Sequence, residues 1–167
     1  MIMPHRTLKV PERGMLDAYA ETLAARGYSA DPAQRAAAER LQRLYTELLS
    51  FKVARRSTFR RLLTRTDPPR GVYFWGGVGR GKSFLMDCFY DSVPYKRKKR
   101  IHFHAFMQQV HRQLDALKDQ ADPMDALAAN IARDVRLLCF DEFHVSDIAD
   151  AMILGRLLKV LFARGVV

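Results

Sequence analysis

Two short stretches of this sequence hold residue types that can do chemistry at a fixed spacing. GGVGRGKS (76–83) fits the pattern G-x-x-x-x-G-K-[ST]. Glycines let a backbone bend until its N–H groups converge on phosphate oxygens, and a helix opening directly behind them adds the positive end of its dipole. On this reading Gly76, Gly77, Val78, Gly79, Arg80, Gly81, Lys82 and Ser83 form a phosphate-binding loop. Lys82 reaches the β- and γ-phosphates, and the Ser83 hydroxyl is a ligand for Mg²⁺. The second stretch is LLCFDE (137–142), an apolar run that ends in two acids. Asp141 at such a strand end holds Mg²⁺ through a water, and Glu142 beside it polarises the attacking water. An acidic pair after a strand is common by itself. Here it follows the glycine loop at the distance of a further strand–helix unit and one more helix, so the two stretches together predict ATP and Mg²⁺ chemistry, with Lys82 and Glu142 catalytic.

The histidines need weighing beside them. Asp141-Glu142-Phe143-His144 spells D-E-x-H, a helicase box, but only 58 residues separate Lys82 from Asp141. That suits two strand–helix units and leaves no room for the usual helicase insert, so His144 reads as a polar turn residue. His102 and His104 are two apart on one predicted strand, with His111 a few residues on. No fourth ligand has suitable spacing, which favours ordinary strand and helix histidines over a metal site.

Positioning these residues requires alternating strands and helices. VYFW (72–75), RIHFH (100–104) and VRLLCF (135–140) are the predicted strands, the last apolar throughout, as a strand buried on both faces must be. Between them lie predicted helices over SFLMDCFYD, AFMQQVHRQLDAL and a segment capped by Asp122-Pro123 that runs to about Arg133. Asp147 caps a last helix ending at Gly165. This pattern predicts an α/β fold, a three-layer parallel sheet of P-loop NTPase type. Upstream, Met15, Tyr19 and Leu23 mark a helix ending at Gly27. Asp31-Pro32 opens a second, with Ala37, Leu41, Leu44, Tyr45 and Leu48 inward, running to about Ser50. Gln34 in its first turn could approach an adenine edge, although capping alone accounts for Asp31-Pro32. A short basic helix is predicted over 56–64. Asp67-Pro68-Pro69 then divides an N-terminal helical region (1–67) from the nucleotide-binding core (68–167).

The totals bound the class. The chain has 167 residues, 49% hydrophobic and 28% charged, as a soluble globular chain does. MIMPHRTLKV does not resemble a signal peptide, and Arg156 and Lys159 break the most apolar late segment, so no membrane span is predicted. Cys88 and Cys139 lie in apolar stretches and read as buried, reduced thiols. The net charge of +10 is concentrated in ARRSTFRRLLTR (54–65) and KRKKR (96–100). Such runs attract phosphate backbones, anionic lipid and acidic proteins alike, but solvated faces and loops are the simpler reading of both.

GVYFWGGVGRGKSFLMD, RIHFHAFMQQVH and RLLCFDEFHVSDIADAMIL together resemble the family of the bacterial ZapE cell-division ATPases and their mitochondrial AFG-like relatives, over most of residues 15–167. His102, Phe103, His104, Phe106 and Met107 carry one match, and Asp141, Glu142, Phe143, Val145 and 147–154 the other. Ser83 and Phe84 depart from the expected Thr and Met, compatibly with the loop's chemistry. The resemblance implies an AAA+-like ATPase that couples hydrolysis to remodelling a protein partner, which for the bacterial branch is FtsZ filaments of the division ring. The missing targeting segment favours that branch and a cytoplasmic location. A homo-oligomer is compatible with it, and a nucleic-acid-stimulated ATPase or a binding module with negligible turnover are the alternatives. In AAA+-type sheets a further strand lies between the two motif-bearing strands. Val166-Val167 reads as its first two residues, so the sheet is expected to be incomplete, the chain a piece of a longer ATPase, and these 167 residues inactive alone.

Overall fold

The computed structural model describes residues 14–56, 67–77 and 79–167. The predicted basic helix over 56–64 falls almost entirely outside them, as does Val78. Helix α1 (Met15–Ala25) and helix α2 (Pro32–Arg56) come first. In α1, Met15 and Tyr19 are buried one turn apart. Its end is a Schellman motif: Gly27 turns left-handed at φ +65, its N–H bonds the carbonyl of Ala24, and Tyr28 N–H bonds that of Leu23. Asp31 and Gln34 open α2 with a reciprocal box, Gln34 N donating to Asp31 Oδ1 (2.8 Å) and Asp31 N to Gln34 Oε1 (3.2 Å). The helix runs six residues past the predicted Ser50, because Phe51 continues the buried face of Leu41, Leu44, Tyr45 and Leu48 for another turn.

Helix α3 (Lys82–Ser92) follows the glycine loop, then strand β1 (Lys98–His102), helix α4 (Phe103–Ala116), helix α5 (Pro123–Asp134), strand β2 (Leu137–Asp141) and helix α6 (Ile148–Ala163). β1 and β2 are parallel neighbours, with Arg100 opposite Cys139 and His102 opposite Asp141. Alternation along β2 sorts the interior into two cores. Leu137 and Cys139 pack with α1, α2 and α3, while Leu138 and Phe140 face α4, α5 and α6. Helices cover both faces of a parallel sheet, the three-layer arrangement of a P-loop NTPase in a small, incomplete version.

The structure corrects three boundaries. RIHFH is not a strand to its end, because β1 stops at His102 and the apolar stripe Phe103, Phe106, Met107, Val110 already has helical spacing. His102 and His104 therefore share no strand face. β2 begins at Leu137 rather than Val135 and extends through Asp141. VYFW does not form a ladder. β2 bonds β1 on one edge, and on the other Val167 N donates to Arg136 O (2.9 Å) and Leu138 N to Val167 O (2.7 Å). Among the described residues no strand lies beside 72–75 to pair with it. Its side chains still alternate, Val72 and Phe74 against the core, Tyr73 and Trp75 exposed. Val167 reaches β2 because Gly165 (φ +76) ends α6 in a second Schellman motif, with Val166 N–H on Leu161 O.

KRKKR is exposed at Lys96, Arg97 and Lys99, as a solvated run would be, but four of its five cations also bond within the fold. Lys98 bends back over the end of α3, where its ammonium bonds the carbonyls of Tyr90 and Val93. Arg97 donates to Ala132 O (2.5 Å) at the end of α5, and Lys99 to Gln109 Oε1 (3.1 Å). Two of these cations satisfy the orphan carbonyls and negative dipole of a helix C-terminus. Among the described residues no helix is long and apolar enough to cross a membrane.

Cys88 and Cys139 are free and buried. Desolvation pushes the Cys139 thiol up to about 12, raises that of Cys88, and pushes the Tyr95 hydroxyl up to about 12. Each is raised above its unfolded value, so the stability it contributes is complete below the unfolded pKa, near 9 for the thiols, and is lost as pH rises towards 12. Neither cysteine should react with a thiol reagent at pH 8 until the protein is denatured, and denaturant midpoints should fall steadily above about pH 9. Native labelling at a free-thiol rate would contradict this burial.

Candidate phosphate and metal site

The glycine loop has the backbone its composition implies. Gly76, Gly79 and Gly81 adopt φ of +143, +78 and +75, regions open to glycine and strained for other residues. Gly81 is the N-cap of α3, and the first turn carries no acid and no side-chain cap. Its leading amides are thus left for an external acceptor. Lys82 folds back into the loop, its ammonium donating to the carbonyls of Gly76 (2.8 Å) and Gly77 (2.6 Å). Ser83 is exposed at the helix head. Gln34 is not free for an adenine edge. Its amide nitrogen donates to Arg80 O (3.3 Å) while its oxygen closes the α2 box, so it ties the start of α2 to the loop.

Asp141 ends β2 with its side chain only 15% exposed, and both its oxygens accept from Arg100: Oδ2 from Nε (2.6 Å) and Oδ1 from Nη2 (3.0 Å). The third Arg100 nitrogen, Nη1, pairs with Asp87 on α3. The hydrogen bonds to Asp141, and then those to Asp87, hold the guanidinium still more firmly charged, against its burial. Sequence reasoning missed both Arg100 and Asp87. Arg100 was absorbed into a basic run, and the one available signal was parity: it lies two residues before His102 on the face of β1 that looks towards α3.

Glu142 has φ +53, the one non-glycine residue with positive φ among those described. That turn throws its carboxylate outward, 85% exposed, with Oε2 3.9 Å from His102 Nδ1. It also turns Phe143 inward onto Phe103 (4.6 Å between centroids) and against Tyr73 (5.8 Å), so the loop after β2 touches the segment leading into the glycine loop. His144 is exposed between β2 and α6. His111 bonds Asp150 (2.6 Å) across α4 and α6, and His104 lies 3.0 Å from the Gln108 amide. The structure thus joins Lys82 to Gly76 and Gly77, and links Asp141 to α3 through Arg100, while the three histidines go to separate partners.

The sequence profile of the AFG1-like ATPases matches residues 14–167. The chain belongs to the AFG1-like ATPase family. Cell division protein ZapE of Escherichia coli K12 is 46% identical over 159 residues, covering 89% of this chain and 42% of that protein. Lactation elevated protein 1 homolog B of Danio rerio is 47% identical over 62% of this chain and 23% of its own length. An uncharacterized Schizosaccharomyces pombe protein is 40% identical over 82% of the chain and 38% of its own. The chain thus spans less than half the length of these AFG1-like relatives. No solved structure matches it significantly.

A left-handed backbone costs a residue with a Cβ roughly 1–2 kcal/mol that glycine does not incur. Glu142→Gly is therefore expected to raise unfolding free energy by about 1 kcal/mol in denaturant titration, while Glu142→Ala keeps the strain and gains nothing comparable. Equal effects of the two would show that the φ of +53 is unstrained.

Proposed function

We propose that this chain carries the phosphate- and metal-binding elements of an ATPase that remodels a protein partner in cell division. The observation that carries the reading is Lys82, held at the head of α3 inside a loop of left-handed glycines. The loop carbonyls of Gly76 and Gly77 accept from the ammonium as phosphate oxygens would. ATP binding would exchange them, the ammonium moving from Gly76 and Gly77 to the β/γ-phosphates while the uncapped amides of α3 take the remaining charge.

The residues also fit Mg²⁺. A serine hydroxyl and a carboxylate are the hard oxygen donors it takes. Arg100 uses one lone pair on each Asp141 oxygen, which leaves others for a metal-bound water. Ser83 and Asp141 would hold the ion, whose contribution is to neutralise charge developing on the phosphates. Glu142, exposed at the rim, would orient the attacking water.

The name of the E. coli relative supports the cell-division context, and the family resemblance supports the FtsZ polymer of the division ring as the partner. Lys98 and Arg100 of the 96–100 run are engaged by the end of α3 and by Asp141, which lessens the support of that run for nucleic acid. ATP hydrolysis by a protein of the relatives' full length that carries this chain, measured alone, with FtsZ filaments and with single-stranded DNA, tests the proposal. Stimulation by filaments is expected, and stimulation by DNA alone would replace it with the nucleic-acid reading. Lys82→Ala should abolish binding in a fluorescent-ATP titration, and unchanged affinity would remove the loop from the site. Glu142→Gln should keep binding and lose turnover by roughly 10²–10⁴-fold, the range for a general base.

A further inference from the structure

Arg100 belongs to neither motif, yet it touches the elements that carry both. It sits on β1, pairs with Asp141 at the end of β2 through two nitrogens, and reaches Asp87 on α3 with the third. Asp87 lies four residues after Ser83, which puts the two on one face of α3, a single turn apart. The ion pair at Asp87 therefore ties β1 to the face of α3 that carries Ser83, in addition to the buried Leu85, Cys88 and Phe89 that seat the helix. The same guanidinium fixes the Asp141 carboxylate in its plane, because a bidentate fork sets orientation as well as distance.

We propose that Arg100 is the positioning residue of the metal site: by gripping Asp87 and Asp141 together it sets the Ser83 hydroxyl and the Asp141 carboxylate in the mutual placement that binds Mg²⁺. The proposal rests on the ATP-site reading above and deepens it by adding the group that builds the site. Geometry and charge oppose each other here. A cation beside Asp141 weakens its pull on a divalent ion, whereas a fixed carboxylate needs no reordering on binding. Geometry prevails, because Asp141 is mostly enclosed and without its two Arg100 bonds the carboxylate would lose the one contact that fixes its plane. Hydrogen-bond partners of metal-binding carboxylates typically contribute 10–100-fold to metal affinity.

The test is a Mg²⁺ titration of fluorescent-ATP binding to the intact protein, for the parent, Arg100→Lys, Arg100→Gln and Asp87→Asn, with the same binding measured in EDTA. Lysine keeps the charge and loses the fork, so it isolates geometry. The Asp87 side chain is half exposed, so Asp87→Asn probes the α3 end of the grip without burying an unpaired charge. Arg100→Lys and Arg100→Gln are expected to raise the Mg²⁺ midpoint by roughly 10–100-fold, with a smaller rise for Asp87→Asn and unchanged nucleotide affinity in EDTA. Midpoints equal to the parent's overturn the proposal, as does a lowered midpoint, which would make Arg100 a competitor of the metal. Equal loss of affinity with and without Mg²⁺ overturns it too, since it would make Arg100 a general strut. A parent that binds no nucleotide would instead overturn the ATP-site reading on which this rests.

Discussion

A strand buried on both faces must be apolar along its length, and it can carry charge only where the layers above and below it end. β2 is that strand, and much of the molecule follows from it. Its residues alternate between two cores, so helices must cover both sides, and its backbone must be paired on both edges. Asp141 comes at the last position of the strand. It remains mostly enclosed, and an enclosed carboxylate needs an opposite charge at hydrogen-bond distance. Arg100 on the neighbouring strand meets that need, one layer from α3. The glutamate that follows is released to the surface by a backbone turn, which at the same step returns Phe143 to the interior.

The basic residues show how misleading a local view of charge can be. The sequence has a large positive surplus, and in the run at 96–100 even the exposed Arg97 and Lys99 bond groups of the fold, as Lys98 and Arg100 do. Arg136 continues the theme, donating to Arg164 O (2.6 Å) past the end of α6, while Arg164 grips both oxygens of Asp125 on α5 at 2.7 Å. These side chains join the ends of helices to their neighbours, where carbonyls left over from helical bonding accumulate. Their cationic character serves the backbone.

What was legible in the sequence was local. Asp31, Asp122 and Asp147 cap the helices they were expected to cap, Gly27 and Gly165 end theirs, and the glycine loop leads into α3 with its lysine at the head. These features depend on residues within one turn of each other. What was not legible depends on a distant partner. Whether VYFW is a strand is decided by what lies beside it, and whether Arg97 or Arg100 finds a partner within the fold is decided by a carbonyl or carboxylate some 35–41 positions away. The β1–α4 boundary is the exception, since the helical stripe from Phe103 to Val110 was present in the sequence and pointed to the earlier start.

The bond from Gln34 to the loop carbonyl at Arg80 has a mechanical side. It fastens the loop to the first turn of a 25-residue helix, α2. At 1.5 Å per residue that helix is a rod of roughly 37 Å. Its far half is moored as well, since Tyr95 Oη donates to Leu48 O (2.7 Å) and Lys52 Nζ to Pro94 O (2.5 Å), just ahead of β1. The loop stands where α3 begins and the second mooring where α3 has ended, so α2 runs alongside α3 as a second beam between the two ends of the sheet. The loop is thus held from two helices, its own and α2, and the position of a single carbonyl at Arg80 is referred to a rod whose other half is fixed beyond the end of α3.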